Sequence, residues 1–521
     1  MPVPATVTPT ATASLLASSR RAWTSARDAL GRLPWTVRLA VLLGGATVVA
    51  RAPGLVYNGM FDRDEAYLTV MGDVMARGGT LYVDVVDRKP PLVPLAYEVA
   101  RQLSVDMRVV RLLCALMVLA NGVLVALLVR RLSRSPRAAA AAGLLAVLGT
   151  AWFLPADAQA ANFELWGLAP ATGAVLAAIV AREDRERSWR WFVLAGALVA
   201  VAAHAKQPYV AVAAPVAWEA WRVGRDRTGR ATNVVAVAGG ALLATLPLVA
   251  VVDLGDLARW AWADNGDYLD GGLSMVRAFG VGVGLTVVFL CFHAPLLYGF
   301  WAAVSRRVRL DPTVVVWTLA SLAVVPIGLR FFGHYYQQVV PPLAVLTGVA
   351  LATAPRSAWR TVAGGAAVAT TVLLGLSFVH RPDLTDFTAV GRYVQSTTDP
   401  GDRILVWGAL PDVYVSAQRA PAGVFLHDGY LTGNWASREE VLDPSVVGEE
   451  PYRERWAMFF ADVIADPPEV IIDAARPGTD WEGYSPAKYP LGFLLQQCYQ
   501  QVTVLDGLPV WARDHSACPA P

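Results

Sequence analysis

Three short stretches of the chain carry ionisable side chains in combinations that suit proton transfer and anion binding. FDRDEAY (61–67) sets Asp64 beside Glu65, VDRKPPL (86–92) sets Lys89 before a proline pair, and LRFFGHYYQQ (329–338) sets Arg330 and His334 four apart. A carboxylate within reach of a hydroxyl can take its proton, and a group of cations can hold a phosphate.

Each stretch also has a plainer reading. A helix from about Asp64 to Arg77, stopped at Gly78-Gly79, would use Asp62 as N-cap and Glu65, three residues on, to complete a capping-box-like pair. That leaves Asp64 without a structural task. Neighbouring helical side chains project ~100° apart, so Asp64 and Glu65 do not easily serve one small site, and Asp64 is the stronger catalytic candidate. Lysine occurs only at Lys89, Lys206 and Lys488 in a chain otherwise rich in arginine. A compact ammonium therefore suits those positions better than a guanidinium fork, unless Lys89 (in KPP) and Lys206 (in KQP) simply snorkel from helix edges. Arg330 and His334 would share a face if helical. They form either a cationic site for a lipid-linked phosphate or part of an interfacial belt with Phe331, Phe332, Tyr335 and Tyr336. ADAQAANFELW (156–166) adds Asp157 and Glu164, carboxylates that at membrane depth face a cavity or a salt-bridge partner. The stretch 253–272 mixes Trp260, Trp262 and Tyr268 with Asp264, Asn265 and Asp267, a composition open to sugar stacking or to a solvated amphipathic loop.

These groups need a scaffold, and the composition names its class. Of 521 residues, 55% are hydrophobic and 17% charged, with mean hydropathy +0.43. This is a polytopic membrane protein. A net charge of +2 speaks against a nucleic-acid partner, which demands clustered cations. Apolar runs predict about eleven spans of ~20 residues. Residues 1–32, rich in Ala, Thr, Ser and Pro, read as a disordered tail, and the first apolar run as a retained helix rather than a cleaved signal. Basic runs at Arg130–Arg137, Arg182–Arg190, Trp221–Arg230, Ser305–Arg309 and Pro355–Arg360 all fall on one side. The positive-inside rule then puts the amino terminus in the cytoplasm and the carboxyl terminus outside. The expected fold is mainly α: a transmembrane bundle over 33–380, with a first outer loop at 53–106, followed by an extracytoplasmic α/β domain over 381–521. Cys498 and Cys518 both lie in that domain and suit an oxidising compartment, though spacing alone leaves a disulfide open. No HExxH, P-loop, GxSxG or paired CxxC occurs, and the six histidines are scattered, so no metal ligands and no cofactor are assigned.

With these residues in place, the chain resembles the GT-C superfamily of integral-membrane glycosyltransferases over about residues 35–380. It is most similar to the branch of lipid A aminoarabinose transferases, protein O-mannosyltransferases and rhizobial lipopolysaccharide transferases. The carriers are Asp64-Glu65, the KPPL element (Lys89–Leu92), the KQP element (Lys206–Pro208) and GHYYQQVVPPL (Gly333–Leu343), in order and setting. The resemblance implies a polyprenyl-phosphate-sugar donor, a glycan, lipid or protein acceptor, and a plasma-membrane enzyme working at the outer face. It implies Asp64 as general base, with Glu65 as a second catalytic candidate, in an inverting displacement. Lys89, Arg330, His334 and Lys206 would hold the donor phosphate, and Asp157, Glu164, Tyr67 and Tyr335 would shape the cavity on the acceptor side. A transporter or flippase of a lipid-linked saccharide, or a glycan polymerase or ligase, is the alternative. Transporters commonly show paired repeats, and no two-fold internal similarity is present.

Overall fold

The computed structural model describes residues 33–266, 274–382, 387–433, 435, 443–475 and 482–518. The expected tail (1–32) and the loop residues Asp267 and Tyr268 lie outside the described residues. Seven helices among those described are long and apolar enough to cross a bilayer: Trp35–Val56, Met107–Ser133, Phe163–Val180, Arg185–Ala205, Arg227–Ala250, Met275–Phe292 and Arg356–His380. Pro136–Gly149, Ala294–Ser305 and Pro312–Ala323 are apolar but shorter. Two further expected spans begin as tight turns, Gln207–Val212 and Gly333–Val339, before the helices Ala213–Val223 and Val340–Leu351. Proline supplies no backbone N–H, so Pro208, Pro341 and Pro342 start helices there rather than sit inside long ones. Phe163–Val180, apolar on every face, is buried along nearly its whole length and forms the centre of the bundle.

Between the first two long helices the chain builds the helix Arg63–Ala76 and the amphipathic helix Leu92–Leu103. The first follows its sequence closely. The Asp62 carboxylate accepts the Asp64 N–H at 2.7 Å. At the other end Gly78, at φ 97°, lets the Gly78 and Gly79 amides reach the Met75 and Val74 carbonyls at 2.9 and 3.0 Å, the glycine-terminated stop that a Gly-Gly pair encodes.

Glu65 anchors this helix to the bundle. It is fully buried. Its oxygens accept from Phe61 N (2.9 Å), Ala161 N (2.9 Å), Arg111 Nε (2.9 Å) and Arg111 Nη2 (2.7 Å). Arg111 in turn gathers the carbonyls of Gly54, Tyr57 and Gly59 at 3.2, 2.7 and 2.6 Å. The capping-box reading is shifted by one residue, since Glu65 reaches the amide before the N-cap.

The carboxyl-terminal region forms a five-stranded sheet in the order β2-β1-β3-β5-β4. Its strands are β1 Arg403–Trp407, β2 Ala420–Pro421, β3 Val470–Asp473, β4 Tyr499–Leu505 and β5 Leu508–Arg513. β1 is parallel to both β2 and β3, whereas β5 is antiparallel to β3 and β4. The continuous apolar run of β1 suits a strand covered on both faces. Cys498 and Cys518 form a disulfide, with Cα atoms 5.3 Å apart. The sheet is tied to the loop after the first long helix, because Val86 N–H donates to the Val424 carbonyl at 2.9 Å.

Two outcomes test this frame. Glu65→Ala strips an acceptor from four donors and leaves the Arg111 guanidinium enclosed, which should cost about 3–5 kcal/mol and lower the detergent-solubilised melting temperature sharply. Asp412, at the start of the short helix Asp412–Ala417, is pushed up to about 6 by burial, with Arg63 opposing. Its folded value lies above the ordinary one, so stability should fall as pH rises from about 4 to 6, by on the order of 3 kcal/mol. Thermal melts of Asp412→Asn should lack that slope.

Candidate active site

A cavity of about 570 Å³ lies where six segments meet, one of them the helix Met275–Phe292 through Arg277, Val281 and Leu285. The other five are the start of the helix Arg63–Ala76, the KPP element, the KQP element, the turn 330–335, and residues 409–435 of the α/β region. Asp64, Lys89, Lys206, Arg330, His334, Tyr67 and Tyr335 all line it. Asp157 and Glu164 stand behind this lining and bind His334 and Lys206 in front, whereas Glu65 points into the core and bonds Phe61, Ala161 and Arg111, away from the cavity.

The pairing within the wall is close. Lys89 Nζ is 2.9 Å from Asp64 Oδ1 and 4.1 Å from the centroid of the Phe163 ring. Lys206 Nζ donates to Glu164 Oε1 and sits 4.2 Å from the Tyr335 ring centroid. His334 directs both its backbone N–H (2.9 Å) and Nδ1 (2.8 Å) at Asp157 Oδ1, while its Nε2 is 3.8 Å from Glu164 Oε1. Two neighbouring carboxyls are driven in opposite directions. Burial alone would raise Asp64, but the Lys89, His334 and Lys206 charges hold it well below the usual range. Burial and the Asp64 charge push Asp62 up to about 6. Such a split gives one carboxylate that stays ionised and one able to keep a proton near neutrality.

Backbone and side-chain struts fix these positions. The Arg88 carbonyl, next to Lys89, accepts from Gln207 Nε2 at 2.8 Å and Asn265 Nδ2 at 3.2 Å, which joins the KPP, KQP and 253–266 segments. Tyr82 Oη donates to the Lys89 carbonyl at 2.7 Å. The single turn Pro155–Gln159 presents Asp157. Arg51 holds that turn from the first long helix, donating to the Ala158 carbonyl and to Thr150 Oγ1 (2.7 Å), while Gln337 Nε2 donates to the Asp157 carbonyl at 3.3 Å.

Arg330 and His334 converge differently from the helical face expected of their spacing. The helix Pro312–Ala323 ends before them, and Leu329 and Phe331, flanking Arg330, sit at φ 52° and 51°. Bulky residues adopt that left-handed region at a cost. Here it turns Arg330, 2% exposed, toward the cavity. Trp260 is likewise unavailable for sugar stacking: it is 1% exposed and packed edge-on against Phe425 and Tyr430.

Sequence reading missed several lining residues. Arg277 was legible in principle, since it is a cation at the start of the apolar helix Met275–Phe292, where the positive-inside rule does not place one. His427, Tyr430 and Trp435 reach the cavity from the α/β region. No periodicity in VFLHDGYLTGNW marks them.

Asp62, Asp157 and His334 each offer a ligand atom, all within 4.8 Å of one another. A mixed oxygen and imidazole set of this kind fits a divalent cation such as zinc or manganese. Sequence motifs did not reveal it, because the three donors come from three distant segments.

Removing Lys89 should reverse the Asp64 shift, because burial would then act with its main opposing charge gone. In Lys89→Met the Asp64 carboxyl should titrate at or above the ordinary aspartate value. An infrared carboxylic-acid band that appears on acidification and is absent from Asp64→Asn would report it.

The model of the dolichyl-phosphate-mannose-protein mannosyltransferase family matches residues 88–252. No curated protein matches the chain. Among solved structures, ArnT from Cupriavidus metallidurans bound to undecaprenyl phosphate aligns with a TM-score of 0.57 at 15% identity, over 92% of this chain and 99% of that one. The Archaeoglobus fulgidus oligosaccharyltransferase complexed with Zn and sulfate aligns at 0.53 and 13% identity, over 92% of this chain and 74% of that one. AglB from the same organism, in complex with an inhibitory peptide and a dolichol-phosphate, gives 0.53 and 13% over 93% and 75%. At such identities the likeness is one of fold.

Proposed function

We propose that this chain, a membrane protein with the GT-C fold of the integral-membrane glycosyltransferases, moves a single sugar from a polyprenyl-phosphate donor to an acceptor hydroxyl at the outer face of the plasma membrane. The observation that carries the reading is the meeting of Asp64 with Lys89, Lys206, Arg330 and His334 in one cavity, although these residues come from four separate parts of the chain. A phosphate leaving group needs such a cluster of cations, and a hydroxyl nucleophile needs such a carboxylate. The named partners of structures with the same fold, undecaprenyl phosphate and dolichol-phosphate, suit the same cations.

In the proposed reaction the acceptor oxygen attacks the anomeric carbon. A new C–O bond forms as the bond to the donor phosphate breaks, and the configuration inverts. The hydroxyl proton passes to Asp64, and the bonding pair leaves on the polyprenyl phosphate, whose charge Lys89, Lys206, Arg330 and His334 offset. Asp64 paired to Lys89 is a weak base, because its pKa is depressed. A donor phosphate competes for the same ammonium, so donor binding loosens that pair and makes Asp64 more basic when the acceptor needs it. Glu65 supports this arrangement from behind. A divalent cation held by Asp62, Asp157 and a neutral His334 would replace the imidazolium as the positive charge beside the leaving phosphate.

The test uses purified protein, a labelled undecaprenyl-phosphate sugar and a membrane extract as acceptor source. Asp64→Asn should reduce transfer by about 100-fold or more, in the range expected on losing a general base, while donor binding persists. Undiminished transfer removes Asp64 from the role. Donor crossing liposomes with no new glycosidic bond favours a flippase.

A further inference from the structure

The cavity has two chemically distinct parts. One holds the cations and their carboxylates, from Lys89 through Glu164 to Asp157. The other is a shelf of rings. Tyr67 stacks on His427 with centroids 6.0 Å apart and planes at 17°, His427 lies 5.1 Å from Trp435, and Trp435 meets Tyr430 edge-on at 4.9 Å. The Arg88 guanidinium stands 5.9 Å over the Trp435 ring. Asp64 borders both parts: Lys89 touches its carboxylate, and Tyr67 follows one turn later on the same helical face.

The α/β region supplies three of the four rings, and its topology explains why it can. The chain runs from β1 to β2 on one side and then to β3 on the other. This makes the carboxyl end of β1 the kind of switch point where open α/β sheets bind ligands. There Gly408, at φ 116°, turns the chain out of the strand, Ala409 reaches the cavity, and the Gly408 carbonyl accepts the Asp428 N–H. Hydrogen-bonding capacity is left unused in this wall, at Tyr67, and just behind it, at Asp428. Among the described residues the Tyr67 hydroxyl and both Asp428 carboxyl oxygens are buried with no hydrogen-bond partner. Asp428 Oδ1 is 3.2 Å from His427 Nδ1, but that nitrogen accepts the Gly429 N–H at 2.8 Å and so has no proton to give. Unsatisfied buried groups cost about 1–3 kcal/mol each, and their gathering beside a ring shelf calls for an explanation.

We propose that Tyr67, His427 and Trp435, backed by Tyr430, form an acceptor subsite for a carbohydrate ring, so that the α/β region selects a glycan acceptor for the transfer described above. A pyranose or furanose offers an apolar face to stack on aromatic rings, together with hydroxyls that donate to acceptor atoms. A phosphate fits neither property of the shelf. An extended peptide presents no such flat, hydroxyl-rimmed face. The subsite rests on the transferase reading for its role as acceptor site; its sugar binding is measured apart from transfer.

The experiment uses the full chain in lipid nanodiscs with undecaprenyl phosphate present. The probes are short glucan, mannan, galactan and arabinan oligosaccharides and a Ser/Thr-containing peptide, followed by saturation-transfer NMR and calorimetry. At least one oligosaccharide should bind. Trp435→Ala and His427→Ala should each weaken it about 10-fold or more, as truncating a buried aromatic anchor does, and Trp435→Phe should recover most of the loss. Undecaprenyl phosphate binding in each variant shows that the fold is intact. The proposal falls if no oligosaccharide binds, if the peptide binds instead, or if both alanine variants bind the oligosaccharide within about 2-fold of wild type. Oligosaccharide binding without Asp64-dependent transfer keeps the subsite and removes the transferase mechanism.

Discussion

The arrangement depends first on one enclosed ion pair. Glu65 and Arg111 are 0% and 3% exposed, and between them they take four donors and three carbonyls. A buried pair is tolerable only when its remaining lone pairs and protons are satisfied, and here they are satisfied by the backbone of segments 54–61 and 161. The same bonds that make the charges tolerable therefore set the angle at which the helix Arg63–Ala76 leaves the bundle. Asp62, Asp64 and Tyr67 inherit their direction from it. Glu65 is the residue the sequence pairs with Asp64 by adjacency, yet the ~100° between successive helical side chains sends one to the cavity and the other to the core.

Much of this was legible from residue types. The Gly78-Gly79 stop, the cap at Asp62, the apolar spans and four of the five strands follow local rules that sequence expresses directly. So does the scarcity of lysine, which singled out Lys89 and Lys206 before any geometry was known. What stayed hidden depends on distance along the chain. The Asp62, Asp157 and His334 group joins residues from three segments, and the ring shelf joins Tyr67 to residues more than 350 positions later. Arg330 was found for its charge and placed by the wrong local geometry, because left-handed residues at Leu329 and Phe331 are not favoured by their side chains and are imposed by packing.

The pairing of cations with carboxylates across the cavity explains how so many ionisable groups persist beside an apolar bundle. Lys89 with Asp64, Lys206 with Glu164 and His334 with Asp157 each cancel in place, and the lysines also lean on the Phe163 and Tyr335 rings. On the proposed reading, an incoming phosphate meets cations already desolvated and oriented. Its binding exchanges one anionic partner for another instead of stripping water from exposed ammonium groups.

The bond from Val86 N–H to the Val424 carbonyl splices the sheet region to the strand-like segment that ends in Lys89. Only Asp87 and Arg88 lie between the splice and that lysine. The position of the carboxyl-terminal region is thereby tied to that of the lysine, and through the ion pair to Asp64. On the proposed reading, the seat of a ligand against the sheet region and the carboxylate that would act on it are joined by one short run of chain, even though the groups involved belong to opposite ends of the polypeptide.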